Sequence, residues 1–313
     1  MSRITSFLLL AFGFAWGVAG IGYLCGIHST ADNGYVPLAA TCMFGPAVAA
    51  LVQHRLIDRA PWPGLDLHPK LIRWKFMWLT VIAGICIVPA YFVVIALFGN
   101  GADVEHFGHV SITSERFNTA VTGLLAKAGR GEPPSALADL LERIPAWLIL
   151  VVAQLSAVFA AFTLNLPFML GEELGWRGYL YQRTASWSVP RRVLFTGTVW
   201  GLWHAPLIAM GHNYPGYPVA GIFMMVVFCV SLAFLFDWTR TRSGSVWSAC
   251  ILHGLVNGTA GGAMLFAWNG HVLVGSIAGA AGCMALLLIL LVVLALDRQY
   301  RMTLFRSNTF AVH

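Results

Sequence analysis

Residues 76–98 read FMWLTVIAGICIVPAYFVVIALF, an apolar stretch without a single charged side chain. At about 1.5 Å of rise per residue, such a stretch makes a helix long enough to cross the hydrocarbon core of a bilayer, which is about 30 Å thick. The rest of the chain has the same character, because 58% of its 313 residues are apolar and only 10% are charged. Soluble domains carry about 25% charged residues. The sequence therefore predicts an integral membrane protein and excludes an ordinary soluble enzyme.

Similar apolar runs recur along the whole chain. Their length and lack of charge predict an all-α, polytopic membrane protein with about eight transmembrane helices. The approximate bounds of the runs are 4–27, 36–52, 76–98, 145–180, 193–210, 219–238, 246–268 and 272–296. The first run is longer than the apolar core of a cleaved signal peptide, so we expect it to be retained as a span.

The basic residues predict the orientation in the membrane. The chain has 19 Lys and Arg against 13 Asp and Glu, and most of the basic residues fall on one side if the N-terminus is inside. Since Lys and Arg accumulate on the cytoplasmic side, both termini are predicted to be cytoplasmic. The net charge of +6 is thus interpreted as a topology signal, and no nucleic acid partner is expected. The expected location is a bacterial inner or plasma membrane.

The spans and loops divide the chain into three predicted regions. Residues 1–144 hold three spans and end in a long extracytoplasmic loop at about 100–144. Residues 145–296 hold five spans, and residues 297–313 form a cytoplasmic tail. The loop is polar, with a breaker at 129–134 between two short amphipathic helices. No chemistry is assigned to it.

Polar and ionisable side chains inside the spans are the main functional signal. In hydrocarbon each of them is costly unless it is paired or faces a wet cavity. The set comprises Glu172, Glu173, Arg177, His204, His253 and Asn257, with Asp237 near the cytoplasmic end of the sixth span and Asn165 as a marginal member. The six cysteines lie singly in apolar stretches, which argues against disulfides or a cysteine metal site.

The two adjacent glutamates cannot play the same role. Neighbouring residues on a helix point about 100° apart, whereas Glu173 and Arg177 at i,i+4 can form an ion pair. Glu172 is then left as the carboxylate without a cation, which suits a general base near neutral pH. The alternative is that both glutamates are interfacial charges at the membrane edge.

The two histidines extend this pattern to other spans. Counted along the helices from the cytoplasmic ends, Glu172 and His253 lie roughly 12 Å deep and His204 nearer 18 Å. The three side chains can therefore converge in a cavity that opens to the cytoplasm. His253 and Asn257 at i,i+4 share a helix face and can donate two hydrogen bonds to an oxyanion. The alternative for each residue is a hydrogen bond that joins two helices.

Three motifs follow one another on successive spans, in the order Glu172-Glu173-x-x-x-Arg177, Trp200-x-x-x-His204 and His253-x-x-x-Asn257. Together they resemble the motifs of the CPBP intramembrane proteases. That family includes the eukaryotic CaaX prenyl endopeptidase and bacterial bacteriocin-processing and self-immunity proteins. The resemblance covers roughly residues 166–258, and Trp200 stands where the family's second motif usually begins with Phe.

The resemblance implies an intramembrane endopeptidase that hydrolyses a peptide bond of a membrane-anchored substrate, such as a prenylated CaaX-type chain or a leader peptide. The implied roles are water activation for Glu172 and His204, oxyanion stabilisation for His253 and Asn257, and support of the helix for Glu173 and Arg177. The sequence does not identify the substrate or the oligomeric state.

The sequence leaves open whether a metal ion takes part in catalysis. Glu172, His204 and His253 could form a three-ligand zinc site with an open position for water. However, the H-E-x-x-H signature is absent, and Glu172 could not serve both as ligand and as base. Glutamate catalysis without a cofactor is therefore favoured over a metalloprotease.

Two other functions remain as alternatives. In a proton-coupled transporter the same Glu and His side chains would form a relay, but the chain lacks the two similar halves typical of such carriers. In a catalytically silent immunity or scaffold protein, at least one motif residue should be lost, and all are present.

Overall fold

The structure is a computed structural model that describes residues 2–60, 62–129 and 143–305. The described chain is helix and loop apart from a two-residue antiparallel pairing of β1 (His109–Val110) with β2 (Ala267–Trp268). The predicted all-α, polytopic fold is therefore confirmed. The α-helices longer than one turn are α1 (Arg3–Leu24), α2 (Tyr35–Cys42), α3 (Gly45–Val52), α4 (Trp74–Ile95), α5 (Ser114–Lys127), α6 (Ala146–Phe162), α7 (Leu166–Glu173), α8 (Val189–Trp203), α9 (Ala205–Ala209), α10 (Pro218–Ser243), α11 (Val246–Phe266), α12 (Ala280–Leu296) and α13 (Arg298–Phe305).

Wider, π-helical turns continue three of these helices. They are Gln53–Ile57 after α3, Ala96–Gly101 after α4 and Leu174–Leu180 after α7. In the part of the chain that the structure describes, five helical segments are long and apolar enough to cross a membrane, with α2 and α3 counted together: Arg3–Leu24, Tyr35–Ile57, Trp74–Gly101, Pro218–Ser243 and Val246–Phe266. The number rises to seven if two bent pairs, α6 with α7 and α12 with α13, each form one span. The protein is thus a multi-pass integral membrane protein, while the predicted count of eight and the side of the termini stay predictions.

In two of the predicted spans the helix is interrupted, each time near a proline. The run at 193–210 divides at His204 into α8 and the five-residue α9, because Pro206 cannot donate a backbone hydrogen bond to the preceding turn. The run at 145–180 bends by 60° between α6 and α7. Thr163 leaves the helical region there, and Pro167 begins the next helix. Both breaks lie close to the candidate site residues.

Helices α8 and α10 approach each other closely. Gly197 and Gly201, one turn apart on α8, face Val230 and Val226 on α10. A Cβ atom would lie 2.6 Å from the Val230 Cα at Gly197 and 2.5 Å from the Val226 Cα at Gly201. Small residues four positions apart are typical of tightly packed membrane helices. This contact sets the position of the helix that carries Trp200.

Buried ion pairs join helices at one end of the molecule. Arg192 of α8 forms two hydrogen bonds with Asp237 of α10, at 2.6 and 3.1 Å. From the sequence, Asp237 is expected to form a boundary ion pair with the nearby Arg240 or Arg242, and this expectation is wrong because those two side chains bind other carboxylates. Arg240 binds Asp66, and Arg242 binds Asp297. The pairs connect residues that are far apart in sequence.

The region at 100–144 contains more structure than a simple loop. The first predicted amphipathic helix is α5, and the second falls on 130–142, outside the described residues. β1 pairs with β2 at the end of α11. Asn100 donates to the Val110 carbonyl and accepts from its N–H. This region is therefore attached to the helix that carries His253. Division of the chain at residue 144 stays a prediction.

Candidate active site

Four of the predicted site residues line one cavity of about 140 Å³. They come from three separate parts of the chain: Glu172 at the end of α7, His204 at the break between α8 and α9, and His253 with Asn257 on α11. The cavity has room for a few water molecules, since water occupies about 30 Å³ per molecule in the liquid. The structure thus brings together residues up to 85 positions apart in sequence, as the motifs predict.

Glu172 is buried and bonded to a residue of the second motif. Its Oε2 accepts a hydrogen bond of 2.9 Å from Trp200 Nε1. Its other oxygen, Oε1, accepts no hydrogen bond from protein atoms of the described chain. The Trp200 indole therefore holds the carboxylate by one oxygen and leaves the second for the cavity. A phenylalanine at this position could not supply that N–H.

Glu173 faces a different set of partners. Its Oε1 accepts from Arg177 Nη1 at 3.0 Å and lies 2.8 Å from His253 Nδ1. The Arg177 guanidinium also lies over the rings of Trp200 and Phe236, 4.4 and 3.8 Å from their centroids. Opposite charge and aromatic faces offset part of the cost of burying these charges, while Glu173 Oε2 and Arg177 Nη2 have no hydrogen-bond partner among the described residues. Sequence reasoning predicted the pair of Glu173 with Arg177 but missed the bond from Glu173 to His253, because it joins two helices.

The orientation of His204 follows from one backbone contact. His204 Nδ1 lies 2.8 Å from the Trp200 carbonyl oxygen. A carbonyl can only accept, so Nδ1 carries the proton and Nε2 of the neutral ring has the free lone pair. The Trp200 and Trp203 rings pack edge-on or tilted against the imidazole, with centroids 5.8 and 4.9 Å away. Trp200 thus contacts both Glu172 and His204.

Asn257 is placed more loosely than the other three residues. It is exposed, and its Nδ2 lies 3.7 Å from Met169 Sδ, which is a weak acceptor. The amide therefore remains available for a stronger acceptor in the cavity. Asn165, the marginal member of the polar set, donates instead to the Gly254 carbonyl at 3.2 Å. It joins α11 to the residue that precedes α7.

The first part of the chain also contributes to the cavity, which the sequence did not indicate. Ala39 of α2 and Met43, which follows it, belong to the wall. α1 is attached to the second motif, since Trp16 Nε1 donates to the Trp203 carbonyl and Trp203 Nε1 donates to the Ala11 carbonyl. These contacts come from a region without a recognisable motif, so only the tertiary structure reveals them.

The side chains do not form a ready site for a metal ion. Within residues 2–60, 62–129 and 143–305, no three His, Cys, Asp or Glu side chains have an arrangement that could hold one. Glu172, His204 and His253, the three ligands considered for zinc, are among the side chains that do not form such a group. No zinc site is thus preformed in the described residues, and catalysis without a metal stays a prediction.

Residues 145–259 match the model of a protein family described as type II CAAX prenyl endopeptidase, Rce1-like. This segment is similar to that family, and the match does not extend to the rest of the chain. The Rce1-like segment contains all three motifs and begins one residue before α6, and the resemblance inferred from the motifs is confirmed. No curated protein matches the chain significantly. The family supports a CAAX-type intramembrane endopeptidase whose substrate is a membrane-associated protein.

Proposed function

We propose that the protein is an intramembrane endopeptidase in which Glu172 and His204 activate the attacking water, without a metal ion. The observation that carries this proposal is the convergence of Glu172, His204 and His253 on one cavity. The proposed substrate is a membrane-anchored peptide, either a prenylated CaaX-type chain or a leader peptide. We further propose that the cavity opens toward the cytoplasm.

The proposed first step is attack by a water bound between Glu172 Oε1 and His204 Nε2. Both atoms are free of other bonds in the described chain and belong to residues of the cavity wall. As the water oxygen bonds to the peptide carbonyl carbon, its proton passes to the Glu172 carboxylate or to the His204 lone pair. The carbonyl π electrons move to the oxygen, which becomes an oxyanion.

The proposed oxyanion site consists of His253 and Asn257. Glu173 holds His253 Nδ1 at 2.8 Å, so the ring presents Nε2 to the cavity. His253 donates from Nε2 while Nδ1 also carries a proton, and the Glu173 carboxylate stabilises the charge of that ring. The Asn257 amide supplies the second donor. The oxyanion then collapses, the C–N bond breaks, and the leaving nitrogen takes the proton from Glu172 or His204.

The deciding experiment compares wild type with Glu172→Gln, both purified in lipid. Each protein is incubated with a panel of fluorogenic farnesylated and leader-type peptides, with and without a strong chelator. We expect wild-type cleavage that the chelator leaves unchanged, and a decrease in kcat of about 10²- to 10⁴-fold in the variant, since that is the usual contribution of a general base.

Two outcomes would contradict the proposal. Loss of cleavage with chelator, restored by zinc, would make the protein a metalloprotease. No wild-type cleavage across the panel, from protein with an intact melting transition, would favour the transporter or the silent scaffold. Gln resembles Glu in size and keeps an acceptor for Trp200 Nε1, so the variant should fold.

A further inference from the structure

A second cavity of about 480 Å³ lies between α4, α10 and α12, apart from the candidate active site. Its walls are apolar, and the side chains that form them include Leu79 and Ile82 from α4 and Ile289 and Val292 from α12. Ile82 and Val292 are about half exposed. Since these helices belong to the membrane-spanning set, their exposed apolar side chains face hydrocarbon, and the groove is open to the lipid.

The mouth of this groove is basic. Lys75, Arg242 and Arg298 lie there with one carboxylate, Asp297. Lys75 Nζ and the Arg242 guanidinium approach the same ring, 6.0 and 4.2 Å from the centroid of Phe76. The two cations are therefore neighbours at one end of an apolar slot.

The single carboxylate does not cancel this charge. Asp297 Oδ2 accepts from Arg242 Nε at 2.7 Å and from Trp238 Nε1 at 3.1 Å, so its charge is already compensated by one arginine. Lys75 and Arg298 are exposed and form no ion pair within the described residues. The mouth thus keeps a formal excess of two positive charges.

We propose that this groove is a binding site for an anionic phospholipid, with one acyl chain between α4 and α12 and the phosphate at Lys75, Arg242 and Arg298. Basic pockets between spanning helices bind anionic headgroups on the cytoplasmic side of membranes. The end of the molecule that holds these cations is the end that the charge distribution predicts to be cytoplasmic. The proposal does not depend on the proposed protease activity.

The test is a lipid titration of the purified full-length protein followed by native mass spectrometry. Phosphatidylglycerol and phosphatidylcholine with identical acyl chains are the two probes. We expect wild type to bind phosphatidylglycerol at least tenfold more tightly. Lys75→Gln with Arg298→Gln should weaken phosphatidylglycerol binding by about 10- to 30-fold, since each basic residue near the headgroup contributes about 1 kcal/mol. Phosphatidylcholine binding should change much less.

Two further variants distinguish the contribution of the basic mouth from that of the apolar groove. Arg59→Gln with Lys70→Gln removes the same charge from exposed positions outside the groove, and we expect phosphatidylglycerol binding to stay within about twofold of wild type. Val292→Trp fills the slot from an exposed position without changing the charge, and should weaken binding of both lipids. Melting transitions without added lipid verify that each variant is folded.

Three results would overturn the proposal. Equal affinity of wild type for the two lipids would reduce the groove to an ordinary lipid contact. An equal loss of phosphatidylglycerol affinity in the variant with Arg59→Gln and Lys70→Gln would show that only the overall charge of the protein matters. If Val292→Trp weakened binding of a farnesylated peptide but not of phosphatidylglycerol, the groove would be a substrate site.

Discussion

Trp200 is the residue that connects the parts of the candidate active site. Its Nε1 donates to Glu172, its carbonyl oxygen accepts from His204 Nδ1, and its ring lies beneath Arg177. A phenylalanine, the residue usual in the family's second motif, would keep an aromatic ring and the carbonyl, and would lose the N–H together with the second ring of the indole. Substitution of this side chain therefore removes the hydrogen bond to Glu172 along with part of the buried ring.

We expect Trp200→Phe to lower kcat for peptide cleavage by about 10- to 100-fold. A hydrogen bond to a charged group contributes about 1.5–3 kcal/mol, and each 1.4 kcal/mol in the barrier is about tenfold in rate. KM should change less than about threefold, because the indole N–H contacts Glu172 and not the substrate. Steady-state kinetics on a cleaved peptide measures both constants.

The matched control is Trp247→Phe. Trp247 Nε1 donates to the Leu67 carbonyl at 2.7 Å, and this tryptophan lies outside the wall of the cavity. The control should lose a comparable hydrogen bond without a change in kcat. An unchanged kcat in Trp200→Phe, or an equal decrease in the control, would show that the indole does not position Glu172.

At the scale of elements, the contact between α8 and α10 determines where the second motif lies. Gly201 follows Trp200 directly and leaves no space between its Cα and the backbone of Val226. A side chain at this position must push the two helices apart, because the neighbouring atoms are backbone atoms that cannot rotate away. The displacement would move Trp200 and His204 relative to Glu172 on α7.

We expect Gly201→Ala to destabilise the protein by about 1–3 kcal/mol, the usual cost of overpacking, and to lower kcat as well. Thermal unfolding in detergent and the cleavage assay measure the two effects. Gly17→Ala on α1 is the control, since a Cβ there would have no neighbour within 4 Å. A melting temperature of Gly201→Ala equal to that of wild type would mean that the helices separate without cost.

At the scale of the whole molecule, the part of the chain before α6 packs against the Rce1-like segment around the cavity. Tyr35 at the start of α2 bonds through its hydroxyl to His212 Nδ1, at 2.8 Å, in the loop between α9 and α10. His212 is also part of the cavity wall. Burial lowers the pKa of His212 below its usual value near 6.5. This loop therefore links the two regions through a histidine that remains neutral.

The lowered pKa of His212 predicts how the stability of the protein depends on pH. In the unfolded chain a histidine binds a proton below about pH 6.5, whereas folded His212 does not until the pH is lower. The free energy of unfolding should therefore decrease as the pH falls below about 6.5. Above that pH, neutral His212 makes its full contribution to stability. Melting temperatures between pH 5 and 8 measure this slope, which should be shallower in His212→Gln.

The control for this slope is His28→Gln, which replaces an exposed histidine in the loop after α1. It should leave the dependence of the melting temperature on pH unchanged. If His212→Gln and wild type had the same slope, His212 would not contribute to the acid sensitivity of the protein.

The boundaries of the spans show what local pattern can and cannot predict. The run at 246–268 was predicted almost to the residue, since α11 is Val246–Phe266, because composition alone determines a long uninterrupted apolar helix. The run at 193–210 was predicted as one span and is divided at His204. Hydropathy does not register a proline whose missing N–H breaks the helix.

The sequence by itself determined the membrane class, the helical fold, the family resemblance of the segment at 145–259 and the residues that meet in the cavity. Charge and apolar length act locally, and spaced motifs identify side chains on one helix face. Only the tertiary structure decided which partners those side chains take: Trp200 for Glu172, His253 for Glu173 and Asp237 for Arg192. Each of these bonds joins two helices, and their relative position depends on packing that no single stretch of sequence encodes.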